Sequence, residues 1–153
     1  MQKPNTILLV EDDQVNAFAV EKVFLDLGLG TSLVHSHNGE EALEYLRGES
    51  NRKPDIILLD LHMTKINGIE FLKIVKSDPV LRRIPIVMLT TSQDQWDIEE
   101  CFALNAAGYI IKPLDDKHLA ETIKTIVLYW SCSKLPLHGR RVAKATIADI
   151  RRI

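Results

Sequence analysis

The chain has 153 residues, 46% hydrophobic and 26% charged, with a formal net charge of -2. That balance excludes a disordered or fibrous protein and fits one domain of about 100–150 residues plus an appendage. No apolar run approaches the roughly 20 residues that span a bilayer, and two cysteines without CxxC spacing, Cys101 and Cys132, exclude a disulfide scaffold or a zinc ribbon.

Met1 to Asn5 lead straight into a strand-like run, without the longer apolar stretch of a signal peptide. A reducing, cytoplasmic setting is expected, with no membrane association. The charge is unevenly spread. Lys134, Arg140, Arg141, Lys144, Arg151 and Arg152 face only Asp149 beyond residue 132, which leaves the body acidic. An acidic body argues against direct DNA binding. The basic end reads as a solvated tail rather than as a binding arm.

In chain order, Ile7-Leu8-Leu9-Val10 is the first strand-length apolar run. Asp13 opens a helix whose apolar face is Ala19, Val20, Val23 and Leu27, and Gly28 stops it. Ser32-Leu33-Val34-His35 reads as a more exposed strand. Residues 39–47 are amphipathic, Ile56-Ile57-Leu58-Leu59 is a second continuous apolar run, and residues 68–76 are amphipathic again. Ile86-Val87-Met88-Leu89 is followed by a weaker helical stretch over 95–105, then by Tyr109-Ile110-Ile111. A last helix is expected from about Lys117 to Trp130, with Asp116 as its cap. Pro54, Pro79 and Pro85 fall between elements.

Continuous rather than alternating apolarity implies strands covered on both faces, as in a parallel sheet. The alternation of strand and helix, five times over, predicts a doubly wound α/β fold with right-handed crossovers. Ligands in such sheets sit at the carboxyl ends of the strands. Those ends carry Glu11-Asp12-Asp13, Asp60, Thr90-Thr91-Ser92 and Lys112-Pro113. Gathered carboxylates repel one another, and a hard cation such as Mg²⁺ relieves them, using one or two carboxylates plus waters and phosphate oxygens. A lysine and hydroxyls suit the remaining phosphate oxygens. These are the parts for phosphoryl transfer to a carboxylate. None of His35, His37, His62, His118 and His138 sits at metal-ligand spacing; all but His62 read as surface or core polar residues.

Over roughly residues 5–130 the sequence resembles the receiver domains of two-component response regulators. The resemblance implies a flavodoxin-like sheet of five parallel strands in the order 2-1-3-4-5. It implies that Asp60 accepts a phosphoryl group, with Mg²⁺ (or Mn²⁺) held by Glu11, Asp12, Asp60 and the backbone carbonyl of His62. Thr90, Thr91 and Lys112 would bind the phosphate, and Thr90 and Tyr109 would form the switch. Asp13 would be the extra acid opening the first helix, and Gly68 the glycine opening the third. His62 and Ser92 stand where the family tunes hydrolysis of the acyl phosphate. The implied donor is a histidine kinase.

Thr64 departs from the family pattern, standing where a proline is usual, so a less rigid loop after Asp60 is expected. Thr91 is bulkier than the small residue often found beside the switch hydroxyl. The segment Ile126 to Trp130 with Leu135-Pro136 is similar to the ends of small regulators that partner cyanobacterial and bacterial phytochromes. Leu119, Ile123, Ile126, Val127 and Trp130 form one core-facing stripe, while Leu128, Tyr129 and Cys132 fall on another side. Leu128, Tyr129, Trp130 and Cys132 are therefore a candidate surface for a homodimer or partner, unless residues 133–153 fold back over it. The expected organisation is a receiver domain over 5–131 and a basic extension over 132–153, without a separate output domain. The rival reading is a haloacid-dehalogenase-type phosphatase with Asp60 as nucleophile, drawing on Thr90, Lys112 and Asp115-Asp116. Against it, His62 stands where that family needs a second aspartate, and its nucleophile lies on the first strand.

Overall fold

The computed structural model describes residues 4–49 and 52–136. Strand β1 (Thr6–Val10) leads into helix α1 (Gln14–Leu27), followed by β2 (Ser32–Ser36), α2 (Gly39–Arg47), β3 (Ile56–Leu59) and α3 (Gly68–Ser77). A 3₁₀ turn at Leu81–Arg83 precedes β4 (Ile86–Thr90), α4 (Gln95–Ala103), β5 (Gly108–Ile111) and α5 (Asp116–Cys132). All strand pairs are parallel and the order is β2-β1-β3-β4-β5, the expected five-stranded flavodoxin-like sheet.

The two faces of the sheet bury alternate residues of each strand. Leu8, Val10, Ile57, Leu59, Ile86 and Met88 point to one core with Ala42, Leu46, Phe71, Leu72 and Val75 of α2 and α3. Ile7, Leu9, Ile56, Leu58, Val87 and Leu89 point to the other, with Ala17, Val20 and Phe24 of α1 and Leu119, Ile123 and Val127 of α5. This double burial is what the unbroken apolar runs encode.

Each α-helix opens on a side chain that accepts backbone N–H groups: Asp13, Asn38, Asn67, Asp94 and Asp115. The cap of α5 is therefore Asp115, which accepts from the His118 N–H, and not Asp116, which is the first helical residue. On α1 the buried stripe is Ala17, Val20, Val23 and Phe24. Leu27, expected on that face, is 37% exposed, because it closes the last turn just before Gly28 takes the left-handed conformation at φ 54°. The run at β5 is not fully covered either. It forms a sheet edge, pairing only with β4, and Ile111 is 38% exposed.

Strand order places the switch point between β1 and β3, where the chain reverses its direction of winding. Glu11 and Asp12 follow one of these strands and Asp60 the other.

Candidate phosphoryl-transfer site

The last rungs of the sheet hold the site residues by their backbones. The Asp60 N–H donates to the Val10 carbonyl (3.1 Å), the Glu11 N–H to Ser36 (3.2 Å), and the Lys112 N–H to Thr90 (2.7 Å). Their side chains are thus launched from the carboxyl ends of β1, β3 and β5, on the same side of the sheet.

Glu11 and Lys112 meet there. Lys112 Nζ donates to Glu11 Oε1 at 2.7 Å, with side chains 9% and 2% exposed. The other oxygen, Glu11 Oε2, is buried and accepts no hydrogen bond. Burial, reinforced by the neighbouring Asp60 carboxyl, pushes Glu11 up to about 7, against the pull of Lys112 in the opposite direction. Asp60 is 8% exposed, and its Oδ1 accepts the N–H of Leu61 at 2.8 Å. Gly68 allows this packing: a Cβ there would lie 2.4 Å from the Asp60 carbonyl oxygen and 2.7 Å from Leu61 Cα.

Asp12, half-buried, accepts the Thr64 N–H on Oδ2 at 2.9 Å. This contact revises the expectation for the loop after Asp60. Thr64 supplies an N–H where proline has none, and that N–H ties the loop to the end of β1. His62 is exposed in the same loop. Asp13 turns away from the site to cap α1, accepting from Val15 N–H (2.9 Å) and Asn16 N–H (3.1 Å).

Thr90 is fully buried, and its Oγ1 accepts the Ser92 N–H at 3.3 Å. Thr91 is exposed. Ser92 donates its hydroxyl to Asp97 Oδ2 (2.6 Å) in the first turn of α4, and its carbonyl accepts the Tyr109 hydroxyl at 2.9 Å. Burial raises the Tyr109 phenol above its ordinary range. Sequence reasoning had no access to these contacts, nor to His35, whose Nε2 lies 2.8 Å from the Glu11 carbonyl oxygen while Nδ1 faces Glu21 at 3.4 Å. Backbone partners leave no mark on residue type. His35 remains a satisfied polar residue, as expected.

The profile of the response regulator receiver domain matches residues 7–124. The chain belongs to that family. FilR2 of Methanothrix harundinacea, a probable methanogenesis regulatory protein, is 36% identical over 132 residues, covering 84% of this chain and 85% of that one. Response regulator Rcp1 of Synechocystis is 33% identical over 131 residues, 83% and 89% of the two chains. The structure of the phosphorylated cyanobacterial phytochrome response regulator RcpA aligns with TM-score 0.81 at 36% identity, covering 90% of this chain and 100% of that one. Rcp1 in its Mn²⁺-bound form aligns with TM-score 0.79 at 33% identity, over 88% and 100%.

This receiver domain is accordingly a two-component signalling protein. Asp115, one of the two acids on which the phosphatase alternative draws, caps α5 and pairs with His118 Nδ1 at 2.6 Å. Receiver domains bind Mg²⁺ or Mn²⁺, and the residues here fit such a cation. Among the described residues no three His, Cys, Asp or Glu side chains make a cage on their own. Mg²⁺ does not need one, because it takes one or two carboxylates and completes its shell with carbonyl, water and phosphate oxygens. The unpartnered buried Glu11 Oε2 and the adjoining Asp60 carboxyl are oxygen donors of the kind such a cation takes, with Lys112 already paired to the other Glu11 oxygen.

The expected partner surface lies on α5. Leu128 is 48% and Tyr129 63% exposed, Cys132 is exposed, and Trp130 is partly buried with its ring edge-on to Tyr129 at 5.0 Å. A groove of ≈ 770 Å³ runs between β5 and α5, lined among others by Gly108, Ile110, Ile126, Tyr129 and Trp130. It shares none of the carboxylates at the strand ends. Residues 137–153, most of the basic extension including His138, lie outside the described residues. No helix among the described residues is long and apolar enough to cross a membrane.

Proposed function

We propose that Asp60 accepts a phosphoryl group from the phosphohistidine of a kinase and that the resulting acyl phosphate resets the surface of α4, β5 and α5. One observation carries this reading: the Asp60 carboxyl adjoins Glu11, a buried carboxyl that is paired through one oxygen with the Lys112 ammonium and whose second oxygen is unpartnered. An Asp60 carboxylate oxygen attacks phosphorus as the P–N bond to the kinase histidine breaks, and the electron pair returns to the imidazole nitrogen. Glu11, Asp12, Asp60 and the His62 carbonyl would hold Mg²⁺ (or Mn²⁺), which supplies charge neutralisation for the carboxylates and the entering phosphoryl oxygens.

Lys112 then exchanges Glu11 for a phosphoryl oxygen. Thr90 turns its hydroxyl inward and releases the Ser92 N–H, with Thr91 beside it at the phosphate. Tyr109 fills the space that Thr90 leaves. Such a change needs only a few kcal/mol between two packings. Loss of phosphate uptake from a small phosphodonor in Asp60→Asn, or on chelation of Mg²⁺, is the expected result; undiminished uptake in Asp60→Asn overturns the assignment.

Residues 5–131 act in this reading as the receiver unit and 132–153 as an extension. Output is contact with a partner or a second copy through Leu128, Tyr129, Trp130 and Cys132, without direct DNA binding. The cognate cytoplasmic kinase is assigned to the bacterial phytochromes, and the likeness to RcpA supports that assignment. Light-dependent phosphotransfer from a phytochrome kinase tests it. Light scattering with and without beryllofluoride tests the homodimer; an unchanged mass in both states removes phosphorylation as its control.

A further inference from the structure

Thr64 sits mid-loop between Asp60 and α3, and its side chain has no evident task. Its backbone has one. The N–H of Thr64 donates to Asp12 Oδ2 at 2.9 Å across 52 residues of sequence. No other hydrogen bond from the loop over 61–67 reaches the β1–α1 segment among the described residues. The loop itself is closed at its base, where the Gly68 N–H donates to the Leu61 carbonyl at 2.9 Å. Its tip takes a left-handed turn at Lys65, φ 65°, directly after Thr64. Ile66 packs against the start of α2, where a Cβ on Gly39 would stand 3.1 Å from Ile66 Cβ. The Thr64 amide is therefore aimed by a braced turn rather than by a free strand of chain.

We propose that this amide is a positioning group for the cation site: it holds Asp12 Oδ2 so that the other oxygen, Oδ1, is presented to the metal. The inference rests on the reading of Asp12 as a metal ligand given above. Groups that hydrogen-bond a ligand from behind orient it, and their loss typically weakens metal binding about 10–100-fold. A backbone donor has the further property that side-chain substitution at position 64 does not remove it, whereas proline does. The same bond links the segment bearing Asp12 to the loop bearing the His62 carbonyl, so ordering one orders the other.

The test is titration of the purified protein with Mg²⁺ alone, followed by calorimetry, for the parent, Thr64→Ala, Thr64→Pro and Asp12→Asn. The expected result is parental affinity in Thr64→Ala and affinity weaker by about 10-fold or more in Thr64→Pro. Equal affinity in Thr64→Pro and the parent overturns the inference. So does an equal loss in Thr64→Ala, which would assign the effect to the side chain. Parental affinity in Asp12→Asn instead removes the ligand reading on which it stands. Should Thr64→Pro not fold, amide hydrogen exchange in the parent with and without Mg²⁺ decides, since a cation that prefers the hydrogen-bonded arrangement must in turn strengthen that bond. Slower exchange at Thr64 on adding Mg²⁺, beyond any change at Gly68, supports the inference; unchanged exchange at Thr64 overturns it.

Discussion

Lys112 and Glu11, 101 residues apart in the chain, meet at 2.7 Å over the carboxyl ends of β3 and β4. Three strand spacings separate their backbones, about 14 Å, and two long side chains bridge that distance. The pair is buried on both sides, and breaking a buried pair by removing one partner costs about 3–5 kcal/mol. Lys112→Ala is therefore expected to unfold at markedly lower urea concentration than the parent at pH 8. The deficit shrinks at pH 5, where Glu11 takes up a proton. On the proposed function, phosphate is still expected to load onto Asp60 in this variant with a blunted partner-binding response; equal responses in variant and parent contradict the role given to Lys112.

The raised Glu11 carboxyl has its own signature. Between its ordinary value of 4.5 and about 7 the folded state binds a proton that the unfolded state has released. Stability contributed by this group therefore falls as pH rises across that window and levels off above it. Metal-free protein should lose melting temperature from pH 5 to pH 8, Mg²⁺ should restore more of it at pH 8 than at pH 5, and Glu11→Gln should flatten the profile. Thermal denaturation at fixed ionic strength measures all three.

Gly68→Ala is expected to damage stability and site together. The added Cβ would meet the Asp60 carbonyl oxygen at 2.4 Å and Leu61 Cα at 2.7 Å, both backbone atoms that cannot swing aside. Overpacking of this kind costs about 1–3 kcal/mol, and relief of the clash displaces Asp60. Resistance to denaturant and phosphate uptake should both fall, whereas Gly30→Ala, strained by its φ of 72° but with no atom within 4 Å of its Cβ, should lower stability alone and leave uptake unchanged.

Adjacent acids separate by role. Asp13→Ala removes the α1 cap at a cost of about 1 kcal/mol and leaves phosphate uptake intact. On the reading of Asp12 as a metal ligand, Asp12→Ala is expected to suppress Mg²⁺ binding with little change in helix stability. Parallel calorimetry and urea unfolding on the two variants give opposite patterns.

The two thiols should also behave differently. Cys101 is fully buried and held up at about 11 by burial and by the nearby acids Asp97 and Glu100, whereas Cys132 is exposed. A thiol reagent at pH 8 is expected to label Cys132 alone in the native protein and both after denaturation.

The strands and helices were legible because each apolar run is long enough to be buried on two faces. The β5 run over-promised, since the pattern that marks a central strand also fits an edge strand leaning on α5. Leu27 failed for a related reason: helical phase predicts a face, but not where the core ends beneath the last turn. At the site, Glu11, Asp12, Asp60, Thr90 and Lys112 could be read from their places after apolar runs. The contacts that organise them could not, because Thr64 to Asp12, Tyr109 to Ser92 and His35 to Glu11 each use a main-chain atom. The sequence did show the absence of proline at position 64. It did not show that the freed N–H would find a carboxylate.

Ser92 makes four hydrogen bonds: its N–H donates to the Thr90 hydroxyl, its carbonyl accepts the Tyr109 hydroxyl, its own hydroxyl donates to Asp97 at the head of α4, and its hydroxyl oxygen accepts the Asp94 N–H. In the proposed switch, withdrawal of the Thr90 oxygen would free the Ser92 N–H, and the ring and helix held by the same residue would feel that loss. The proposed output surface is thereby coupled to the phosphate site through one shared residue, so that strand end, ring and helix would respond together.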